Sequence, residues 1–110
     1  MVEPSPLRQL MSARQPTLAE QVARFQLRRR ASTDAFAAGV RLARQGGVRL
    51  LDVTTTSATA VVDDATPAAV TLNAVGHLIE GTCDDDVCRG RVCRHQVAVA
   101  HELWVRQRRR

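Results

Sequence analysis

Three cysteines and one histidine lie within thirteen residues of the sequence: Cys83, Cys88, Cys93 and His95. Thiolate sulfur and imidazole nitrogen are ligands that zinc prefers, and four of them complete a tetrahedral site with no position left for water. Closed sites of this kind are structural, because a catalytic zinc ion keeps one position open. The spacing therefore predicts one structural zinc ion bound by these four side chains.

The alternative is that the cysteines are unrelated buried thiols, since a free cysteine packs as a small apolar side chain. Charged neighbours argue against it, because aspartates occupy positions 84–86 and arginines occupy positions 89, 91 and 94. A secreted disulfide framework is also disfavoured, since three crowded cysteines cannot all pair within one chain. We therefore expect reduced thiols in a cytoplasmic protein.

His77 and His101 are weaker candidates for metal binding. His101 lies six residues after His95, and this separation places the two imidazoles on different sides of a helix. Neither His77 nor His101 has a partner acid at catalytic spacing. Both are interpreted as surface or core residues.

Two helices are predicted before the first strand. Residues 1–16 contain three prolines and no sustained hydrophobic period, so they are expected to form a flexible arm. Thr17 and Glu20 have the form of a capping box, and an Arg-rich amphipathic helix is expected over residues 18–30, within segment 17–33. Its apolar stripe consists of Leu18, Val22 and Phe25.

The second helix is expected to begin at residues 32–34 and to end at Gly46 and Gly47. Short β-branched runs then predict the strands of an antiparallel meander, at residues 48–54, 58–62, 68–72 and 77–82. A turn cluster at residues 63–67 separates the second and third strands, and Asn73 and Gly76 are expected to bracket the last turn. A final helix is predicted from His95 to Gln107.

Residues 34–110 are therefore expected to form one zinc-binding domain of the α+β class. The chain as a whole is expected to comprise N-terminal helices, a small antiparallel meander, a zinc knuckle and a C-terminal helix, with a ββα-like zinc finger core. Cys83 ends a strand, Cys88 lies on a loop, and Cys93 and His95 bracket the start of a helix. These three places can converge on one ion.

The cysteine and histidine pattern resembles the SWIM zinc finger, whose signature is C-x-C, a short variable gap, and C-x-H leading into a helix. The stretch from about residue 35 to residue 104, including GTC and CRHQVAVAHELW, is similar to the bacterial form of this module. Cys83, Cys93 and His95 match the signature directly. The family's second cysteine falls at Asp85 here, so we assign the second ligand to Cys88 on chemical grounds and keep Asp85 as the alternative.

The resemblance implies interaction with DNA or with proteins, because SWIM modules accompany helicase-like ATPases, transposases and recombination accessories. The net charge is +5, and the arginines concentrate at both ends of the chain. Seven of them are candidates for contacting phosphates: Arg28, Arg29, Arg30, Arg106, Arg108, Arg109 and Arg110. We therefore expect an accessory factor that binds DNA through its Arg-rich ends.

The alternative is a protein adaptor for a helicase-like, recombination or transposition machinery, without direct DNA contact. It would dock through the sheet or through Leu18, Val22 or Phe25. The sequence contains no phosphate-binding glycine loop, no H-E-x-x-H motif and no nucleophile elbow. We expect neither an enzyme nor a small-molecule substrate, and no run of residues is apolar enough to predict a membrane partner.

Overall fold

The computed structural model describes residues 17–23, 30–76, 78–84 and 92–108. Within these ranges the chain forms three helices, α1 (Leu18–Ala23), α2 (Thr33–Arg44) and α3 (Arg94–Arg108), and four strands, β1 (Val48–Val53), β2 (Ser57–Val62), β3 (Ala68–Val75) and β4 (Leu78–Cys83). This arrangement confirms the predicted α+β class. None of the helices in these ranges has the length and apolar character needed to cross a lipid bilayer.

Helix α1 begins with the predicted capping box. The backbone N–H of Thr17 donates to Glu20 Oε1 at 2.8 Å, and the N–H of Glu20 donates to Thr17 Oγ1 at 3.2 Å. Leu18 N also donates to the carbonyl of Thr55 at 2.8 Å, which attaches the helix to the β1–β2 loop. Leu18 and Val22 are buried. The predicted continuation of the helix through Phe25 lies outside the described residues.

Helix α2 begins at the predicted place, because Ser32 Oγ accepts from the backbone N–H of Ala35 at 3.1 Å. It ends before Gly46, whose φ of 78° suits glycine at a helix terminus. Gly39 lies where α2 approaches α3. A Cβ atom at this position would lie 2.5 Å from Val97 Cβ and 2.6 Å from the carbonyl oxygen of Arg94. The two helices are therefore in close contact.

The four strands form one antiparallel sheet in the order β1-β2-β3-β4. The predicted meander is thus confirmed, but the last turn was misplaced. Asn73 lies within β3 and pairs with Ser57 on one side and Glu80 on the other. The β3–β4 connection instead follows the Val75–Leu78 pair, and Gly76 within it has a φ of 60°.

The core lies between the helices and one face of the sheet, and small side chains dominate it. The inward face of β2 and β3 consists of Ala58, Ala60, Val62, Ala68, Val70, Leu72 and Ala74, all buried. Helix α3 contacts all four strands and contributes the buried Ala98, Val99 and Ala100. Because alanine occupies so many of these positions, α3 can lie close to the sheet. Its first turn is therefore held near the end of β4.

Candidate metal centre

Three of the four predicted ligands meet at the junction of β4 and α3. Cys83 is the last residue of β4 and pairs with the inward-facing Val70, so its side chain lies on the core face of the sheet. Cys93 immediately precedes α3 and is buried, and His95 is the second residue of that helix, with no exposed surface. The predicted convergence of a strand end with a helix start is confirmed for these three residues.

The spacing of the three side chains fits one metal ion. One ligand atom from each of Cys83, Cys93 and His95 lies within 4.8 Å of the other two. Cys83 Sγ and His95 Nδ1 are 3.4 Å apart. In a tetrahedral zinc site the sulfur–nitrogen edge is about 3.5 Å and the sulfur–sulfur edge about 3.8 Å, from bond lengths of about 2.3 and 2.05 Å. The geometry therefore accommodates zinc, and the structure does not show which ion binds.

The second nitrogen of the imidazole is bonded to an acid. His95 Nε2 lies 2.8 Å from Asp64 Oδ2, and the same oxygen accepts from Arg94 Nε at 2.8 Å. The other carboxylate oxygen, Oδ1, accepts from the backbone N–H of Ala65 at 2.8 Å. A carboxylate behind a metal-binding imidazole is a common feature of zinc sites.

These contacts identify the proton positions. The hydrogen bond from His95, followed by those from the Ala65 backbone and the Arg94 guanidinium, lowers the pKa of Asp64 from 3.8 to about 2. Asp64 is therefore ionised at neutral pH and can only accept hydrogen bonds. It follows that Nε2 of His95 carries a proton. In the neutral imidazole, Nδ1 is then the acceptor nitrogen, and it faces Cys83 Sγ.

The same arrangement of thiol, imidazole and carboxylate is also used in nucleophilic catalysis. A nucleophile and its base must reach a substrate, yet the His95 ring has no exposed surface. One groove among the described residues, of about 630 Å³, lies between α1, the end of β1 and the end of α3, away from these three side chains. The presence of a second cysteine beside the imidazole also favours metal binding.

The structure describes only one of the other residues that the sequence suggested as possible metal ligands. Cys88 and Asp85, the alternatives for the fourth ligand, lie outside the described residues, as does His77. His101 is half-buried, with its ring centroid 5.8 Å from that of Trp104. Among the described residues, the group of potential ligands consists of Cys83, Cys93 and His95 and does not include His101.

Two of the seven predicted phosphate-contacting arginines have intramolecular partners. Arg30 donates to the carbonyl of Ile79, and Arg106 Nε donates to Glu102 Oε2 at 2.8 Å. The side chains of the other five lie outside the described residues: Arg28, Arg29, Arg108, Arg109 and Arg110. The structure therefore does not test whether these arginines form one surface.

Sequence reasoning missed Asp64 as part of the site. It recognised this residue only as a member of the turn cluster between the second and third strands. The missing information was the sheet register, which places the β2–β3 turn beside the end of β4. There Ala69 N donates to Asp84 Oδ1 at 2.8 Å, and Asp84 N donates to the carbonyl of Ala69 at 3.1 Å.

Comparison with protein-family models, with curated proteins and with solved structures gave no match for this chain.

Proposed function

We propose that this protein is a small structural zinc-binding module of the SWIM type, in which the ion fastens the start of α3 to the end of β4. The observation that carries the proposal is the convergence of Cys83, Cys93 and His95 within 4.8 Å. The fourth ligand is Cys88, which completes a closed tetrahedral site. The metal does no chemistry on a substrate.

The ion stabilises the fold because its ligands come from two different elements. A metal site of this type does not exist in the unfolded chain, so the free energy of binding adds to the free energy of folding. The contribution matters here because the core is rich in alanine and the sequence contains only two phenylalanines and one tryptophan. Without the metal, we expect the first turn of α3 to separate from the sheet.

Thermal unfolding with one equivalent of zinc and with a strong chelator tests this role. We expect zinc to raise the midpoint of the wild type and to have no such effect in Cys93→Ser or His95→Gln. His101→Gln is the matched control, because it removes a histidine from the same helix outside the site. Equal midpoints for the wild type with zinc and with chelator would contradict the proposal.

We further propose that the module binds DNA as an accessory factor. The net charge of +5 and the arginines at positions 28–30 and 108–110 support this. The intramolecular contacts of Arg30 and Arg106 leave less of their donor capacity for phosphate, so the remaining arginines would supply most of the affinity.

A salt-titrated DNA shift assay tests this activity. We expect affinity to fall steeply with salt and to be lost when arginines 28–30 and 108–110 are replaced by glutamine. The control replaces the exposed Arg41, Arg44 and Arg49, which removes half as many positive charges from elsewhere on the surface. An equal loss of affinity per charge in both variants would indicate nonspecific attraction rather than a binding surface.

One observation favours the alternative of a protein adaptor. Two pairs of large apolar side chains are exposed, Leu51 and Val53 in edge strand β1, and Val75 and Leu78 beside the β3–β4 turn. Leu18 and Val22, two of the docking residues suggested by the sequence, are buried in the core, so the exposed pairs on the sheet are the better candidates. An adaptor would show no DNA shift. Binding of its partner protein would be lost in Leu51→Ser or Leu78→Ser and retained in the arginine variants.

A further inference from the structure

We propose that Asp64 is a positioning residue of the metal centre, which makes Nδ1 of His95 the nitrogen that binds the ion. This role rests on the proposed zinc site, and it assigns to Asp64 a function that the ligand set alone does not require.

Hydrogen bonds hold the carboxylate of Asp64 at both oxygens. Oδ1 accepts from the backbone N–H of Ala65, and Oδ2 accepts from Arg94 Nε and His95 Nε2, each at 2.8 Å. Rotation of the carboxylate would break more than one of these bonds. The Nε2–Oδ2 bond therefore restricts rotation of the imidazole as well.

Because the imidazole is buried, its orientation depends on this hydrogen bond. The His95 ring has no exposed surface, so bulk water cannot replace Asp64 as the partner of Nε2. A neutral imidazole has one donor and one acceptor nitrogen, and a metal ion binds the acceptor. Since Asp64 Oδ2 accepts a hydrogen bond from the protonated Nε2, Nδ1 is the acceptor nitrogen, and it faces Cys83 Sγ, 3.4 Å away. Without the carboxylate, the tautomer with a proton on Nδ1 could form, and that tautomer cannot bind the ion through Nδ1.

The fold explains why an acid from the β2–β3 turn reaches this histidine. Val62, the last residue of β2, pairs with Ala68, the first residue of β3. The turn between them therefore lies at the same end of the sheet as the last residue of β4, Cys83, which pairs with Val70. Asp84, the residue after Cys83, exchanges two hydrogen bonds with Ala69. The turn that carries Asp64 is thus attached to the segment that follows the first ligand. Binding of the ion would therefore stabilise the turn together with α3.

Zinc affinity and the imidazole tautomer test the role of Asp64. Affinity is measured in the full chain by competition with a chromophoric chelator, for the wild type, Asp64→Ala, Asp64→Asn and the matched control Asp63→Asn. We expect Asp64→Ala to bind zinc about 10- to 100-fold more weakly, the usual effect of removing such a partner. We expect a smaller loss in Asp64→Asn, because its amide oxygen can still accept a hydrogen bond from Nε2. Asp63→Asn replaces an exposed neighbouring acid and should match the wild type.

Nitrogen-15 NMR of the histidine side chains supplies a readout that a purely structural role would not change. In the zinc-bound wild type we expect His95 Nε2 to carry the proton and Nδ1 to bind zinc. Zinc bound through Nε2, or an affinity of Asp64→Ala within threefold of the wild type, would overturn the role of Asp64 while leaving the zinc site intact. If the wild type binds no zinc, the proposed function fails, and this role fails with it.

Discussion

Cys83 and His95 are twelve positions apart in the sequence, yet Cys83 Sγ and His95 Nδ1 lie 3.4 Å from each other. Cys83 is the last residue of strand β4, and His95 lies in the first turn of helix α3. Their meeting depends on how closely α3 approaches the sheet and α2, because a shift of even 1 Å would disturb a tetrahedral site. The small residues beneath α3 therefore help to position the candidate ligands.

Replacement of Gly39 by alanine tests this close packing. Alanine normally stabilises a helix interior by about 1 kcal/mol relative to glycine. Here the new methyl group would lie 2.5 Å from Val97 Cβ and 2.6 Å from a backbone oxygen of α3, which cannot move independently. We expect the free energy of unfolding to fall by about 1–3 kcal/mol, the usual effect of overpacking. Urea denaturation measures it.

Ala37→Gly provides the control for Gly39→Ala, because Ala37 is exposed in the same helix. It should lower stability by about 1 kcal/mol through helix propensity alone. If Gly39→Ala instead stabilised the protein, α2 and α3 would not be in the contact that the structure describes.

The fourth ligand can be identified by cobalt substitution. Cobalt takes the tetrahedral place of zinc, and its thiolate charge-transfer absorption increases with the number of bound sulfurs. We expect Cys88→Ser to lower this absorption by about a third, because the site changes from three thiolates to two. Asp85→Asn should leave the spectrum unchanged. The reverse pattern would assign the fourth position to Asp85.

The pH dependence of stability should contain a contribution from His101. Burial, together with the positive charge of Arg44, lowers the pKa of His101 below its ordinary value of 6.5, while Glu102 opposes this effect. The unfolded chain therefore takes up a proton at higher pH than the folded chain. Stability due to this group is present above pH 6.5 and decreases as the pH falls from there toward the lower, folded-state pKa.

A comparison of the wild type with His101→Gln isolates this contribution, because protonation of the candidate metal ligands affects both proteins equally. Urea midpoints of the two zinc-loaded proteins are compared between pH 8 and pH 5. We expect the wild type to lose more stability than His101→Gln over this range. Parallel curves would mean that His101 has the same pKa in the folded and unfolded chains.

Local sequence signals were sufficient for most of the fold. The capping box at Thr17 and Glu20 and the N-cap at Ser32 place two helix starts, because each depends on side chains within three residues of one another. The lengths and spacing of the short β-branched runs predicted the meander. The last turn was misplaced because Asn73, a residue typical of turns, is paired within β3. Local propensity does not predict this pairing, because it depends on contacts with other strands.

The candidate metal centre was predictable to the extent that its chemistry is encoded in residue type. Cys83, Cys93 and His95 stand close together in the sequence and have side chains that few other roles explain. Asp64 was not predictable in this way, because aspartate is an ordinary turn residue. Its role depends on tertiary structure that brings it to His95 from thirty-one positions away.

X-ray absorption at the zinc edge, on the purified protein with one equivalent of zinc, tests the central claim most directly. We predict that each chain retains one ion, surrounded by three sulfurs at about 2.3 Å and one nitrogen at about 2.0 Å. Cys93→Ser, which lacks one of the ligands, should not retain the ion under the same conditions. A shell containing only nitrogen and oxygen, or a protein that does not retain zinc, would contradict the account.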